Sequence, residues 1–351
     1  LQTITLRLRL HRPTHAKERI YRELTECTTT LANNLVAAGR PKGLTSRTAA
    51  QYLPAPIPAA VVNQVLREVA ADQKVERFRV LPPCFNNQNL RLRKVGNFWT
   101  ASFPTHEGRI RVPLATTERQ ERILEQLGTT VKQGAAKLYC KRGRWYLALS
   151  VTVPVAPCAG DRIAGIDMGL RSLAVVNCEG ETLFFQGNRA AYVRRRFNAL
   201  RRRMGKAKAL DAIRRMKDTE ARWMRDQDHK ISRAIVNWCL ARGVGTIRME
   251  KLEGIRNRRR RDRRDRGRSL HSWSFYRLQQ FIAYKARLAG IRVEWVEPKD
   301  TSRTCPRCGH CAKENRNGIW FQCRSCGYRG HADAVGALNI SRAISGLAGA
   351  A

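Results

Sequence analysis

Four cysteines near one end of the chain constrain it more than any other feature. Cys305-Pro306-Arg307-Cys308-Gly309 and Cys323-Arg324-Ser325-Cys326-Gly327 are two CxxC knuckles. Each pair bends the backbone so that two sulfurs point at one tetrahedral centre, and the glycine after it supplies the turn. The separation is that of a four-thiolate Zn²⁺ site, structural in type because four thiolates leave no open position for a substrate. Cys311 follows Cys308 closely, and His310 or His331 offers an imidazole, so exchanges within the ligand set Cys305, Cys308, Cys323 and Cys326 stay open. Asp333 then opens a helix-like segment, Asp333–Ile344, so a metal-pinned ribbon leads directly to an acid.

The partner is narrowed by charge. Lys and Arg number 67 against 28 acids in 351 residues, a formal net charge of +39. Self-repulsion on that scale disfavours a compact state unless a polyanion compensates. The excess is spread along the whole chain, so nucleic acid is the leading partner and a membrane surface the lesser one. No run reaches the roughly 18 apolar residues of a spanning helix, and no signal-like apolar stretch stands at the N-terminus. Cys27, Cys84, Cys140, Cys158, Cys178 and Cys239 are scattered without a pairing pattern, which suits reduced thiols. The expected setting is cytoplasmic, at the nucleoid, with no membrane partner.

The first half reads as strand, helical insert, then strands. Thr3–Leu10 alternates apolar and polar, with arginines on the wet face. Two helical patterns follow at about Ala16–Ala38 and Pro58–Val80. Short strands return at Arg91–Val95, Phe98–Phe103, Arg109–Pro113, Lys137–Tyr139 and Trp145–Val153. The expectation is a small barrel or curled sheet carrying a helical lobe, with Pro154–Asp161 as a linker. In the second half, Ile163–Asp167 is an apolar strand ending in an acid, followed by strands at Arg171–Val176 and Thr182–Gln186. A basic helical region runs from about Ala190 to Ala241, and Thr246–Glu250 is a strand ending in a second acid. Arg256–Arg268 is low-complexity and basic, read as a disordered or partner-ordered loop: a flexible phosphate-binding arm or a merely solvated run. A helical pattern at Ser272–Ala289 and a strand at Ile291–Val296 precede the knuckles.

Asp167, Glu250 and Asp333 thus end two strands of a mixed sheet and open a helix. Converging acids are poorly explained by stability, because like charges repel and raise one another's pKa. A Mg²⁺ or Mn²⁺ ion relieves that cost, and two such ions can clamp the attacking and leaving oxygens of a phosphodiester. Taken singly, each acid also reads as a surface residue or a helix cap. His229, on a helical face, reads as a packing or phosphate-contacting residue rather than a base. Trp273, Phe275 and Tyr276 have the helical spacing of core residues.

From Gly160 onward the chain strongly resembles the transposon-encoded TnpB (OrfB) family of RNA-guided DNA nucleases, relatives of the type V CRISPR effectors. Gly165-Ile166-Asp167-Met168-Gly169-Leu170 resembles the first RuvC motif, Ile247-Arg248-Met249-Glu250-Lys251-Leu252 the second and Asp333-Ala334-Val335-Gly336-Ala337-Leu338-Asn339-Ile340 the third. Asp228-His229-Lys230-Ile231-Ser232 is similar to a family signature, as are Ser274-Phe275-Tyr276, Tyr284-Lys285-Ala286 and Thr301-Ser302-Arg303-Thr304-Cys305. The third motif departs from the usual asparagine and two alanines by carrying Val335, Gly336 and Ala337.

The resemblance implies a mixed α/β chain. An RNase H-like RuvC domain would occupy 161–304 and 329–351, with a zinc ribbon inserted at 305–328. A wedge β-barrel would occupy 1–160, carrying a helical recognition insert at about 14–85. It implies catalytic Asp167, Glu250 and Asp333 holding two Mg²⁺ or Mn²⁺ ions, a guide RNA, a double-stranded target DNA next to a short flanking motif, and a transposase from the same element. The alternatives are a guided DNA-binding protein without nuclease activity and a guide-independent, structure-specific nuclease.

Overall fold

In the computed structural model, residues 1–169, 171–216, 218–251, 275–297 and 300–343 are described. The chain divides into two units, Leu1–Pro154 and Val155–Ala351.

The first unit is a seven-stranded antiparallel sheet with a helical lobe. Its strands are β1 (Gln2–Leu10), β2 (Cys84–Phe85), β3 (Arg91–Val95), β4 (Phe98–Thr105), β5 (Gly108–Ala115), β6 (Lys132–Lys141) and β7 (Arg144–Val153), in the spatial order β2-β6-β7-β1-β5-β4-β3. Alternation in β1 turns Leu6, Leu8 and Leu10 inward and Arg7 and Arg9 outward. The sheet is curled. Phe85 on edge strand β2 stacks on Phe103 of β4 with ring centroids 4.7 Å apart. In a flat sheet the five strand spacings between them would exceed about 20 Å. The enclosed core includes Tyr21, Phe85, Phe103, Leu138 and Leu147, all essentially inaccessible.

Helices α1 (His15–Ala37) and α2 (Ala59–Ala71) form the lobe, with their own core of Leu31, Leu35, Val62, Val65 and Leu81. The helix expected to reach Val80 stops at Ala71. Side chains of α1 capture the following main chain as an extended segment: Asn33 exchanges two hydrogen bonds with Phe78, while Thr28 and Thr29 hold the C=O and N–H of Leu81. Those long-range bonds replace helical ones. A short helix, α3 (Glu118–Leu124), adds a turn absent from the sequence reading, opened by a Thr117–Gln120 capping box.

The second unit is built on a five-stranded mixed sheet of β8 (Arg162–Asp167), β9 (Ser172–Cys178), β10 (Glu181–Gln186), β11 (Val244–Glu250) and β12 (Arg292–Val296), ordered β10-β9-β8-β11-β12. The first three strands pair antiparallel, while β11 lies parallel to both β8 and β12. The basic region expected as one helix from Ala190 to Ala241 is three: α4 (Asn188–Lys206), α5 (Leu210–Met216) and α6 (Thr219–Leu240). Lys208 breaks it, with φ of 53° in the left-handed region. Helix α7 (Phe275–Leu288) packs on α6, and Phe275 is buried. Tyr276, expected in the core, is 67% exposed because the buried stripe of α7 passes through Phe275, Leu278, Gln279 and Ile282. Trp273 and the basic run Arg256–Arg268 lie outside the described residues.

A small three-stranded sheet, β13 (Arg316–Asn317), β14 (Trp320–Gln322) and β15 (Arg329–His331), precedes α8 (Ala332–Arg342). Helix α8 lies on β8 at backbone contact. A Cβ at Gly165 would stand 2.0 Å from the carbonyl oxygen of Ala337, so only glycine permits this approach.

A candidate carboxylate site beside a cysteine cluster

The sheet places two acids side by side. Met249 pairs with Ile166 in the parallel ladder, and each is followed by its strand's terminal residue, Glu250 and Asp167. Both therefore end at the carboxyl edge of neighbouring strands, about 4.8 Å apart in a sheet. Strand alternation gives them the face that Gly165 and Arg248 share, and α8 covers that face. Arg248 donates to the carbonyl oxygen of Ser341 at 2.8 Å, pinning the last turn of the helix, and pairs with Glu294 at 2.8 Å. The first turn of α8 then brings Asp333 to the same edge, where His331 Nδ1 accepts the Asp333 N–H as N-cap.

Asp167 feels the charge of both other acids. Asp167 is pushed up to about 7 by burial, then by the charges of Glu250 and Asp333, against Arg316 and the Met168 N–H. Burial also raises Glu250, opposed by the Thr301 hydroxyl, which donates to Glu250 Oε1 at 2.5 Å. Asp333 Oδ1 accepts from Arg316 at 2.9 Å, a cation delivered by β13. Gly336, at the departure from the family pattern, stands beside Asp167: a Cβ there would lie 2.9 Å from Asp167 Oδ2. The missing side chain therefore leaves room for Asp167, while Asp333 keeps its own ion pair. The acids offer only oxygen, suited to a hard divalent cation, and burial disfavours the negative charge of Asp167 and Glu250. The residues fit such an ion.

The four knuckle cysteines converge. Their sulfurs all lie within 4.8 Å of one another, with Cys305–Cys326 at 3.6 Å and Cys308–Cys323 at 3.5 Å. A tetrahedral ion with metal–sulfur bonds of about 2.3 Å needs edges of about 3.8 Å. Cys311 is exposed and outside this set, His310 contributes its carbonyl oxygen to Cys305 N, and His331 is engaged as the α8 cap. Buried Asn315 ties the knuckles together by bonding the carbonyls of Arg303 and His310 and the N–H of Arg324. Glu23, His106 and Glu107 also gather, but Arg19 pairs with both glutamates and His106 bonds Glu23.

Asp228-His229-Lys230-Ile231-Ser232 serves as a contact between helices. Fully buried Asp228 accepts from Arg277 at 2.6 Å, and Lys285 donates to Ser232 Oγ at 2.6 Å. His229 stacks on Phe281 with ring centroids 4.1 Å apart. Gln279, from the same helix α7, donates to the carbonyl oxygen of Glu250 at 2.8 Å. Sequence reasoning missed Arg316, which opens β13 and carries no spacing signal of its own. It saw Thr301 only as part of a motif.

Two family models match the chain: "Probable transposase", of the OrfB type, over 147–256, and "Cas12f1-like, TNB domain" over 275–340. Among curated proteins, the CRISPR-associated endodeoxyribonuclease Cas12f1 of Sulfoacidibacillus thermotolerans is 33% identical over 221 residues, 57% of this chain and 50% of that protein. TnpB-like protein MJ0751 of Methanocaldococcus jannaschii is 36% identical over 121 residues, 34% of this chain and 43% of that one. The chain spans about half the length or less of the curated Cas12f1 relatives it matches. Among solved structures, a Cas12f1–sgRNA–target DNA complex aligns with a TM-score of 0.65 at 17% identity, covering 93% of this chain and 83% of that one. CasPhi-2 (Cas12j) bound to crRNA and phosphorothioate-DNA aligns at 0.57 and 9% identity, covering 97% and 91%. The fold is thus shared with type V effectors, a mixed α/β architecture with a curled sheet. The resemblance to the TnpB (OrfB) family read from the motifs is shown by these matches.

Proposed function

We propose that this chain is an RNA-guided, divalent-metal-dependent DNA endonuclease of transposon origin. It would cut a guide-complementary target next to a short flanking motif. One observation carries the proposal: Asp167 and Glu250 end neighbouring parallel strands, and the helix that opens with Asp333 packs against Asp167 at Gly336. The mixed strand order, with a helix across one face, supports an RNase H-like RuvC domain at 161–304 and 329–351. The cysteine cluster supports a zinc ribbon at 305–328, and the curled sheet supports a wedge barrel at 1–160 with its recognition insert at about 14–85.

Asp167, Glu250 and Asp333 would hold Mg²⁺ or Mn²⁺, which when bound supplies Lewis acidity at the phosphodiester. The chain's own contribution is placement. Thr301 orients the Glu250 carboxylate, Gln279 anchors its main chain, and Arg316 brings a guanidinium to the edge where a phosphate would arrive. Cys305, Cys308, Cys323 and Cys326 would hold structural Zn²⁺, fixing the strand that carries Arg316. Guide RNA, double-stranded target DNA and a transposase of the same element are the proposed partners, and the nucleoid the proposed place of work. No helix among the described residues is long and apolar enough to cross a membrane.

The test is to purify the chain, sequence the RNA it retains and offer duplex DNA matching the guide portion. Cleavage in Mg²⁺ is expected, abolished by EDTA. Asp167→Ala should cut at least about 10³-fold more slowly, because residues acting as a unit fail together, yet still bind guide and target. Retained RNA and target binding without cleavage would indicate a guided binder. Cleavage of branched DNA with no retained RNA would indicate a guide-independent nuclease.

A further inference from the structure

Glu250 is held differently from Asp333. Its carboxylate receives a neutral hydroxyl, Thr301 Oγ1, at 2.5 Å, whereas Asp333 receives the cationic Arg316. Thr301 is itself fixed. Asn339 of α8 donates to the carbonyl oxygens of both Thr301, at 2.7 Å, and Thr304, at 2.8 Å. The turn between them is closed on Asp300, whose carbonyl accepts from the N–H groups of Arg303 and Thr304 and from the Thr304 hydroxyl. Cys305, a cluster cysteine, follows immediately. A continuous path of hydrogen bonds therefore runs from the helix bearing Asp333, through a turn at the entrance to the cysteine knuckle, to the carboxylate of Glu250.

A glutamate side chain has three rotatable bonds, so ending a strand does not fix where its oxygens point. A hydroxyl on Oε1 removes that freedom and leaves the other lone pairs for a cation. Donors behind metal ligands commonly set ligand orientation in this way. We propose that Thr301 is the positioning residue for Glu250, seated by Asn339, and that it sets the affinity of the carboxylate site for a divalent cation. The inference rests on the metal-binding reading of the three acids.

The experiment titrates the chain, its cysteine cluster loaded with Zn²⁺, with Mn²⁺, and reads free Mn²⁺ by electron paramagnetic resonance. Thr301→Val keeps the shape and removes the hydroxyl, while Thr301→Ser keeps the hydroxyl. Thr301→Val should weaken Mn²⁺ binding about 10-fold, the scale of lost support behind a ligand. Thr301→Ser should stay within about 2-fold of wild type on the same scale. Asn339→Ala should weaken binding too, and the double variant should fall short of the product of the single effects. Cleavage should show the same shift in its Mn²⁺ midpoint, with target binding unmoved. Wild-type affinity in Thr301→Val, or equal loss in Thr301→Ser, would overturn the proposal. If Asp167→Asn loses Mn²⁺ while Thr301→Val does not, only this inference fails. If wild type binds no Mn²⁺, the carboxylate reading fails and takes this one with it.

Discussion

Asp167 retains its proton to about 7 in the folded chain against 3.8 when free, so folding and titration are linked. A raised carboxyl leaves the folded state holding a proton that the unfolded state has released. Without metal, stability from this group is therefore greatest at low pH and is lost as pH rises from about 4 to about 7. Asp167→Asn should melt above metal-free wild type at pH 8 and level with it at pH 4, and Mn²⁺ should raise only the wild type. Scanning calorimetry in EDTA and in Mn²⁺ checks this, and a wild-type melting point that climbs across that window would refute it. Residues of this kind are legible in sequence because each acid ends an apolar strand or opens a helix. Arg316 was not, since it is one arginine in a chain with 67 cationic residues and no spacing marks it. Gly336 stood out as a departure, but that its missing side chain leaves room for Asp167 rather than Asp333 follows only from how α8 lies on β8.

The closest-packed contact between elements at the site is β8 against α8. Gly165→Ala would drive a methyl into the Ala337 carbonyl and the Ser341 N–H, neither of which can yield without moving the helix. Overpacking of this kind costs about 1–3 kcal/mol. Urea unfolding should show it as a lower midpoint, and an unchanged midpoint would mean that α8 docks more loosely than described. Strands were read well because alternation and apolar runs are local signals. Helix ends were read less well. The stop of α2 depends on Asn33, Thr28 and Thr29 of a different helix, and the break at Lys208 depends on a backbone conformation that composition does not mark. The Asp228-His229-Lys230-Ile231-Ser232 run was recognisable as a pattern, yet its purpose emerged only once Arg277 and Lys285 were seen against it.

At the scale of the whole molecule, the charge of +39 outruns anything its ion pairs neutralise, most of which are solvent-exposed and worth little. Target affinity should therefore fall steeply with salt, about 10³-fold or more between 50 and 200 mM if several phosphates are neutralised. Binding isotherms across that range test it, and a flat dependence would show that the charge is not spent on a backbone. The chain divides at Pro154, and each unit completes its own sheet. The closing of α8 onto β8 has a consequence for the order of events at the ribosome. The acids come from positions 167, 250 and 333, and the helix that covers the first two is the last described element to be synthesised. A nascent chain halted before that helix carries its basic surfaces without an assembled set of acids. During synthesis, then, the basic charge of the chain is in place well before the three carboxylates can be gathered.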